Sequence, residues 1–230
     1  MSELIATPLL WLAVTLVVFE AADVLSRRSG RHPLCHPVLL ATPVLIGVLL
    51  ATKTPYPSYA DATQVLGFLL GPAVVGLAVP IWAQRATIRR LAKPLACALM
   101  AGAVTAIVSA VGIVWLFGAP AEIMASIAPR ATTTPVGMAV SAQLGGIPAL
   151  AAVIVLMSGV IGAMTATPVL NLLKIRDYRA RGFAVGVSAH GFGAARAFQV
   201  DQTAGAFASL GMALNAVATA TILSIVASLI

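Results

Sequence analysis

The sequence predicts an all-α integral membrane protein, a polytopic helical bundle with two inverted repeats, interrupted helices and a re-entrant hairpin. Three observations carry that prediction. Of the 230 residues 60% are hydrophobic and 9% charged, against roughly 25% charged in ordinary soluble domains. Mean hydropathy is +1.01, and repeated apolar runs approach the ~20 residues that a helix needs to cross a hydrocarbon layer about 30 Å thick. The basic residues fall in short loops between those runs, so the net charge of +7 reports topology rather than a polyanionic partner. Nucleic-acid binding and a secreted globular domain are set aside.

In chain order, spans are expected over about 4–25, 37–51, 62–83, 94–117, 148–170 and 205–230. Met1, Ser2 and Glu3 lead straight into LIATPLLWLAVTLVVF without the basic segment or cleavage site of a signal peptide, which predicts a retained first span. At its far end Glu20 and Asp23 lie near Arg27 and Arg28 and are read as structural. Cys35 and Cys97 have no CxxC pairing and are expected as free thiols, with a bridge between them left open. Gly71 and Pro72 interrupt the third span; proline removes a donor and blocks the i−4 carbonyl, so a packing kink and a binding role fit equally. Ala98, Gly102 and Ala106 read as close helix packing.

Two further stretches, 129–146 (PRATTTPVGMAVSAQLGG) and 183–200 (FAVGVSAHGFGAARAFQV), are apolar but dense in Gly, Thr, Ser, His or Arg. Broken or polar backbone at membrane depth is tolerated only inside protein or along a water-filled cavity, so function is sought there. Clusters at Arg27, Arg28 and Arg31, at Arg85, Arg89, Arg90 and Lys93, and at Lys174, Arg176, Arg179 and Arg181 mark cytoplasmic loops. The N-terminus and the loops holding Lys53 and Arg130 are then outside. A full crossing by 129–146 would move the 174–181 cluster outside, so the charge pattern favours a re-entrant hairpin there. Whether 183–200 crosses or re-enters stays open.

An internal similarity sets HPVLLATPVLIGVLL, GFLLGPAVVGLAVP and the span ending near Phe117 against IPALAAVIVLMSGVIGA, GFAVGVSAHGFGAARAF and SLGMALNAVATATILSIV. That gives one domain, 1–230, with repeat one over about 33–118, a re-entrant segment over about 120–146 and repeat two over about 147–230. Inverted repeats with interrupted helices are a common plan of secondary transporters, whose sites lie where the helices break. Chance similarity in so Ala- and Val-rich a chain is the alternative.

The richest chemistry lies in Ser188, His190, Gly191, Gly193 and Arg196. The two glycines around Phe192 permit a backbone break, and the N–H groups of the half-helix that follows would face an anion. Arg196 adds a planar fork suited to a carboxylate; its burial costs roughly 2.5–3.5 kcal/mol unless it faces a cavity or counter-charge. The bland reading is that Arg196 snorkels or pairs with Asp201. His190 could couple a proton or bond a substrate oxygen, or serve as a structural donor; with no second ligand at suitable spacing, no metal is expected. Thr132, Thr133 and Thr134 before Pro135 can cap a second half-helix, with Gly137, Ser141 and Gln143 downstream. The alternative there is an external loop and a capped amphipathic helix.

LLGPAVVGLAVPIW from Leu69, APRATTTPVGMAVSAQLGG from Ala128, SAHGFGAARAF from Ser188 and AGAFASLGMALNA from Ala204 resemble, in this order and over nearly the whole chain, signature stretches of the LrgB/CidB family, which includes the C-terminal half of the plastid glycolate/glycerate translocator. The chain departs from relatives in carrying alanine at Ala194 or Ala195 where Thr or Ser often precedes the Ala-Arg pair. The resemblance implies two functions. One is an antiholin-like regulator of murein hydrolase export and autolysis, working with a small holin-like LrgA/CidA partner; the other is a carrier of small monocarboxylates such as glycolate, glycerate or pyruvate. Interrupted helices, an arginine and clustered hydroxyls suit the carrier. The expectation is therefore a multi-pass secondary transporter of the bacterial inner membrane, homo-oligomeric, coupled to H+ or Na+ and free of cofactors. Its substrate would meet Arg196, His190, Ser188, Gly191, Gly193, Thr132, Thr133, Thr134, Pro135, Gln143, Gly71 and Pro72. An enzyme is least favoured, since no nucleophile and base stand at a recognisable spacing.

Overall fold

A computed structural model describes residues 8–30 and 35–229; these form α-helices, with 3-10 geometry at Cys35 and no strand among them. Residues 4–7 of the expected first span and Arg31 of the first basic cluster lie outside the described residues. Five helical segments are long and apolar enough to cross a membrane: Pro8–Arg28, Gln64–Ala83, Ala92–Leu116, Pro148–Leu172 and Gln202–Leu229. The protein is thus an all-α polytopic membrane protein. Contacts divide it into two units, 1–76 and 77–230.

The first unit holds α1 (Pro8–Arg28), α2 (Pro37–Ala51), α3 (Tyr56–Ala62) and α4 (Gln64–Gly76). The edge of Trp11 meets Tyr59 with centroids 5.9 Å apart, and Thr15 Oγ1 lies 2.9 Å from the Tyr59 hydroxyl, so α3 is fastened to α1. At the other end of α1, Arg27 pairs with Glu20 at 2.7 Å and Asp23 at 3.1 Å, the structural role expected of those acids. The second expected span needs correction. At 15 residues, α2 covers only about 22 Å, and the chain then bends by 120° into α3, so this is a broken pair rather than a plain crossing.

The second unit holds α5 (Ala78–Ala83), α6 (Arg85–Arg90), α7 (Ala92–Leu116), α8 (Ala121–Ile127), α9 (Thr134–Gln143), α10 (Pro148–Leu172), α11 (Tyr178–Val200) and α12 (Gln202–Leu229). The interruption expected at Gly71 and Pro72 is not found there, because α4 continues through both and ends at Gly76. Pro80 supplies no amide for the Gly76 carbonyl.

Neither α8 nor α9 can cross a bilayer, at 7 and 10 residues. They form a hairpin whose far end closes on its own first arm, since Ser126 Oγ accepts from the Ile147 amide at 2.8 Å. A hairpin of two short helices is the shape that the charge pattern favours for 129–146. The stretch 183–200 also turns back. In α11 the backbone leaves helical geometry at His190 (φ 39°, ψ −126°). Beyond it Gly193 backs onto the Val185 carbonyl, and Arg196 and Ala197 border a small niche with Tyr178 and Arg181. Arms 178–189 and 191–200 are therefore antiparallel, and both end on the side where α12 begins. Asp201 caps that start, accepting from the Thr203 and Ala204 amides at 2.8 and 3.0 Å. Gly182 and Gly186 lie against the backbone of Ala204 and Ala208 so closely that a methyl on either glycine would occupy a carbonyl. Small residues four apart let the first arm of α11 and the start of α12 touch backbone to backbone.

The order in the second unit is a crossing, a hairpin, a crossing, a hairpin and a crossing. The hairpins α8–α9 and α11 open at opposite ends of α10; the positive-inside rule would put the first end outside and the second in the cytoplasm, and the two tips are named outer and cytoplasmic on that expectation.

Candidate functional site

The two hairpin tips meet beside the middle of α10. Ser158, ten residues into that helix, donates through Oγ to the Arg130 carbonyl at 2.7 Å. One turn earlier, the Val155 carbonyl stands 3.1 Å from His190 Nε2. At 1.5 Å per residue both contacts lie roughly 10–15 Å from the helix end, near the centre of a hydrocarbon layer about 30 Å thick.

The cytoplasmic tip is built for packing. His190 is 2% exposed, and because a carbonyl can only accept, its Nε2 carries the proton of that bond. Its ring meets Phe192 edge to face at 5.8 Å and fills space left by Gly159, where a Cβ would lie 2.5 Å from His190 Cε1. A positive φ in a non-glycine residue costs of order 1–3 kcal/mol, so packing holds this turn in place. The break expected at the glycines around Phe192 thus falls on the histidine itself.

The outer tip is built from polar groups. Thr132 Oγ1 donates to the Pro129 carbonyl at 2.7 Å, and Thr133 is the N-cap of α9 without a side-chain capping bond. The expectation that the threonine hydroxyls cap this half-helix is therefore corrected. Thr132 closes the turn instead, and the hydroxyls of Thr133 and Thr134 make no hydrogen bond among the described residues. Ser141 is buried with its hydroxyl unpartnered.

Arg130 extends from this tip into two clefts that flank the first arm of α11. One, of roughly 470 Å³, lies toward α7 and runs from Arg130 to Asp177 and Arg179. The other, of roughly 680 Å³, lies toward α10. Arg130, Ala184 and Ser188 border both. The guanidinium donates to Ser109 Oγ at a long 3.5 Å, and among the described residues no carboxylate pairs with it. At the far end of the first cleft the charges cancel. Asp177 bonds Arg179 bidentately, at 2.6 Å for the shortest contact. That side-chain hydrogen bond holds the Asp177 carboxyl below its usual range.

Of the expected site residues, the structure brings Ser188 to Arg130 and His190 to α10, while Thr132 closes the turn that carries Arg130 and Thr133 and Thr134 border neither cleft. Ser188 is exposed to the clefts, its hydroxyl donating to the Ala184 carbonyl at 2.9 Å, which leaves oxygen lone pairs free. Gly191 and Gly193 form the start of the returning arm. Arg196 does not join them; it lies on that arm beside a niche of about 30 Å³, with Gln199 at 3.3 Å. Pro135 and Gln143 are exposed on α9, at its first turn and far end. Gly71 and Pro72 belong to the first unit and are exposed.

Sequence reasoning passed over Arg130 as a topology marker and gave Asn215 no role. The signal for Arg130 was present, since a lone base one residue ahead of Thr-Thr-Thr-Pro sits in the stretch read as re-entrant. Asn215 had only its place in the stretch from Ala204; that its amide reaches the residue next to Arg130, 84 positions away, is visible only in the fold.

A family profile described as the LrgB-like family matches residues 15–229. The uncharacterised protein YwbG of Bacillus subtilis (strain 168) is 32% identical over 208 residues, covering 90% of this chain and 92% of that protein. The holin-like protein CidB of Staphylococcus epidermidis and that of Staphylococcus aureus (strain Mu50) are each 27% identical, covering 94% of both chains. No solved structure matches the chain.

Proposed function

The chain belongs to the LrgB-like family, and from that premise we propose that it is a secondary transporter of small monocarboxylates across the bacterial inner membrane. The observation that carries this reading is Arg130: a guanidinium at mid-depth, without a carboxylate partner among the described residues, at the shared end of two clefts. Such a charge is costly in hydrocarbon unless an anion or water meets it. A single carboxylate would take the planar fork bidentately, and the Ser188 hydroxyl, which borders both clefts, suits a hydroxy or keto oxygen. The carboxylate role expected of Arg196 passes to Arg130 in this reading.

In purified proteoliposomes, the wild type is expected to take up glycolate or pyruvate while Arg130→Gln loses uptake by about two orders of magnitude, the worth of a charged hydrogen-bonded pair. Unchanged uptake in a folded Arg130→Gln variant would remove the site.

A second reading is favoured over the carrier by the names of the relatives, two of which are holin-like proteins. It makes the chain an antiholin-like or holin-like component controlling murein hydrolase export and autolysis, with a small holin-like partner. The same vesicles separate the two. A carrier passes small acids and retains a large dye, whereas a lesion-forming component leaks both.

A further inference from the structure

Asn215 is fully buried, at 0% exposure, halfway along α12. Its Nδ2 donates to the Ala131 carbonyl at 2.8 Å and to the Val187 carbonyl at 3.1 Å. Its Oδ1 lies 3.4 Å from the buried Thr219 hydroxyl, which fixes which face of the amide carries the donors. Ala131 is the chain neighbour of Arg130 and Val187 that of Ser188, the two polar residues that border both clefts. One NH2 group thus bridges the outer tip and the first arm of the cytoplasmic hairpin.

We propose that Asn215 is a positioning residue that holds the two hairpins in register and so sets Arg130 across the cleft from Ser188. Its functional half rests on the carrier reading; the clamp itself does not. Few side chains of this size could do the same. An ionised aspartate would turn acceptors toward two carbonyls, and serine has one donor. Leaving a carbonyl unpaired at this depth is costly because no water replaces the lost partner.

The test compares wild type with Asn215→Ser, Asn215→Asp and Arg130→Gln in nanodiscs and proteoliposomes. Amide hydrogen exchange is read by mass spectrometry over 128–134 and 186–192, and KM and kcat are read with pyruvate as the probe. Asn215→Ser is expected to speed exchange in both segments together and to raise KM about tenfold, the loss of roughly one hydrogen bond, with kcat nearly kept. Asn215→Asp should do more of both, and Arg130→Gln should raise KM without changing exchange near Val187. Unchanged exchange in either segment would overturn the clamp, and a fall in kcat at constant KM would overturn its role in setting Arg130 across from Ser188. Were Asn215→Ser to misfold, Thr219→Val, which removes only the support of the amide, should shift both segments in the same direction by less; no shift there would also overturn it. A wild type that takes up no pyruvate would remove the carrier reading while leaving the exchange result to decide the clamp.

Discussion

The two hairpin tips solve the same problem by opposite means. Each must turn the chain at membrane depth, where free backbone groups find no water. The outer tip spends six residues, 128–133, between α8 and α9, and closes on side-chain hydroxyls: Thr132 to Pro129, Ser158 to Arg130. The cytoplasmic tip turns on one residue, with His190 forced to positive φ and wedged over Gly159. The longer turn leaves a cation facing a cleft, while the shorter one leaves a ring bonded to backbone and sealed from both clefts. On the carrier reading, binding chemistry and mechanical constraint are thereby separated, one to each tip.

That division breaks first at Arg130. Loss of its charge should take uptake down about 100-fold with little change in thermal unfolding, because its hydrogen bond to Ser109 is long. A variant that unfolds before it loses uptake would make this tip structural as well.

At the cytoplasmic tip the order should reverse, with stability falling first. Gly159→Ala puts a methyl 2.5 Å from the imidazole, and since the ring is pinned between Phe192 and the Val155 carbonyl it cannot swing away. Overpacking of this kind costs about 1–3 kcal/mol, measurable as a lowered unfolding midpoint in detergent. His190→Gly sharpens the point: it relieves a backbone strain of order 1–3 kcal/mol while deleting the ring and its hydrogen bond. It should therefore be less destabilising than His190→Ala by about 1 kcal/mol, the cost Ala retains at a φ that glycine adopts freely. Equal midpoints for the two variants would mean that the turn relaxes once the ring is gone.

Much of this arrangement was legible in the residues. The density of Thr, Gly and His in two apolar stretches set both apart from plain crossings, because such composition has no use facing lipid, and the base count favoured a hairpin for the first while leaving the second open. The strained residue was less legible. Two glycines flank Phe192, and local rules place a break at the residue that permits positive φ most cheaply; His190 takes it because Gly159, 31 positions earlier in the chain, leaves room for its ring. Arg130 was misjudged for a related reason. A base in a short loop reads as topology until the loop is known to dip into the membrane, whereas Arg196 looked buried because the stretch around it was apolar. A hairpin returns its second arm to the surface, which no count of apolar residues reveals.

The smallest expected effect is therefore at Arg196. Six residues past the turn it stands about 9 Å back toward the basic end of the hairpin, beside Arg181 at a niche of about 30 Å³, room for one water and none for a carboxylic acid. Arg196→Gln keeps a hydrogen-bonding tip of similar reach and removes one positive charge near the interface. Uptake of glycolate or pyruvate should stay within about twofold of wild type, since half-buried Arg196 borders neither cleft, and added salt should change the variant and the parent alike. Loss of uptake at this position, with Arg130→Gln left active, would move the anion site to the returning arm of α11 and invert the assignment of chemistry between the two tips.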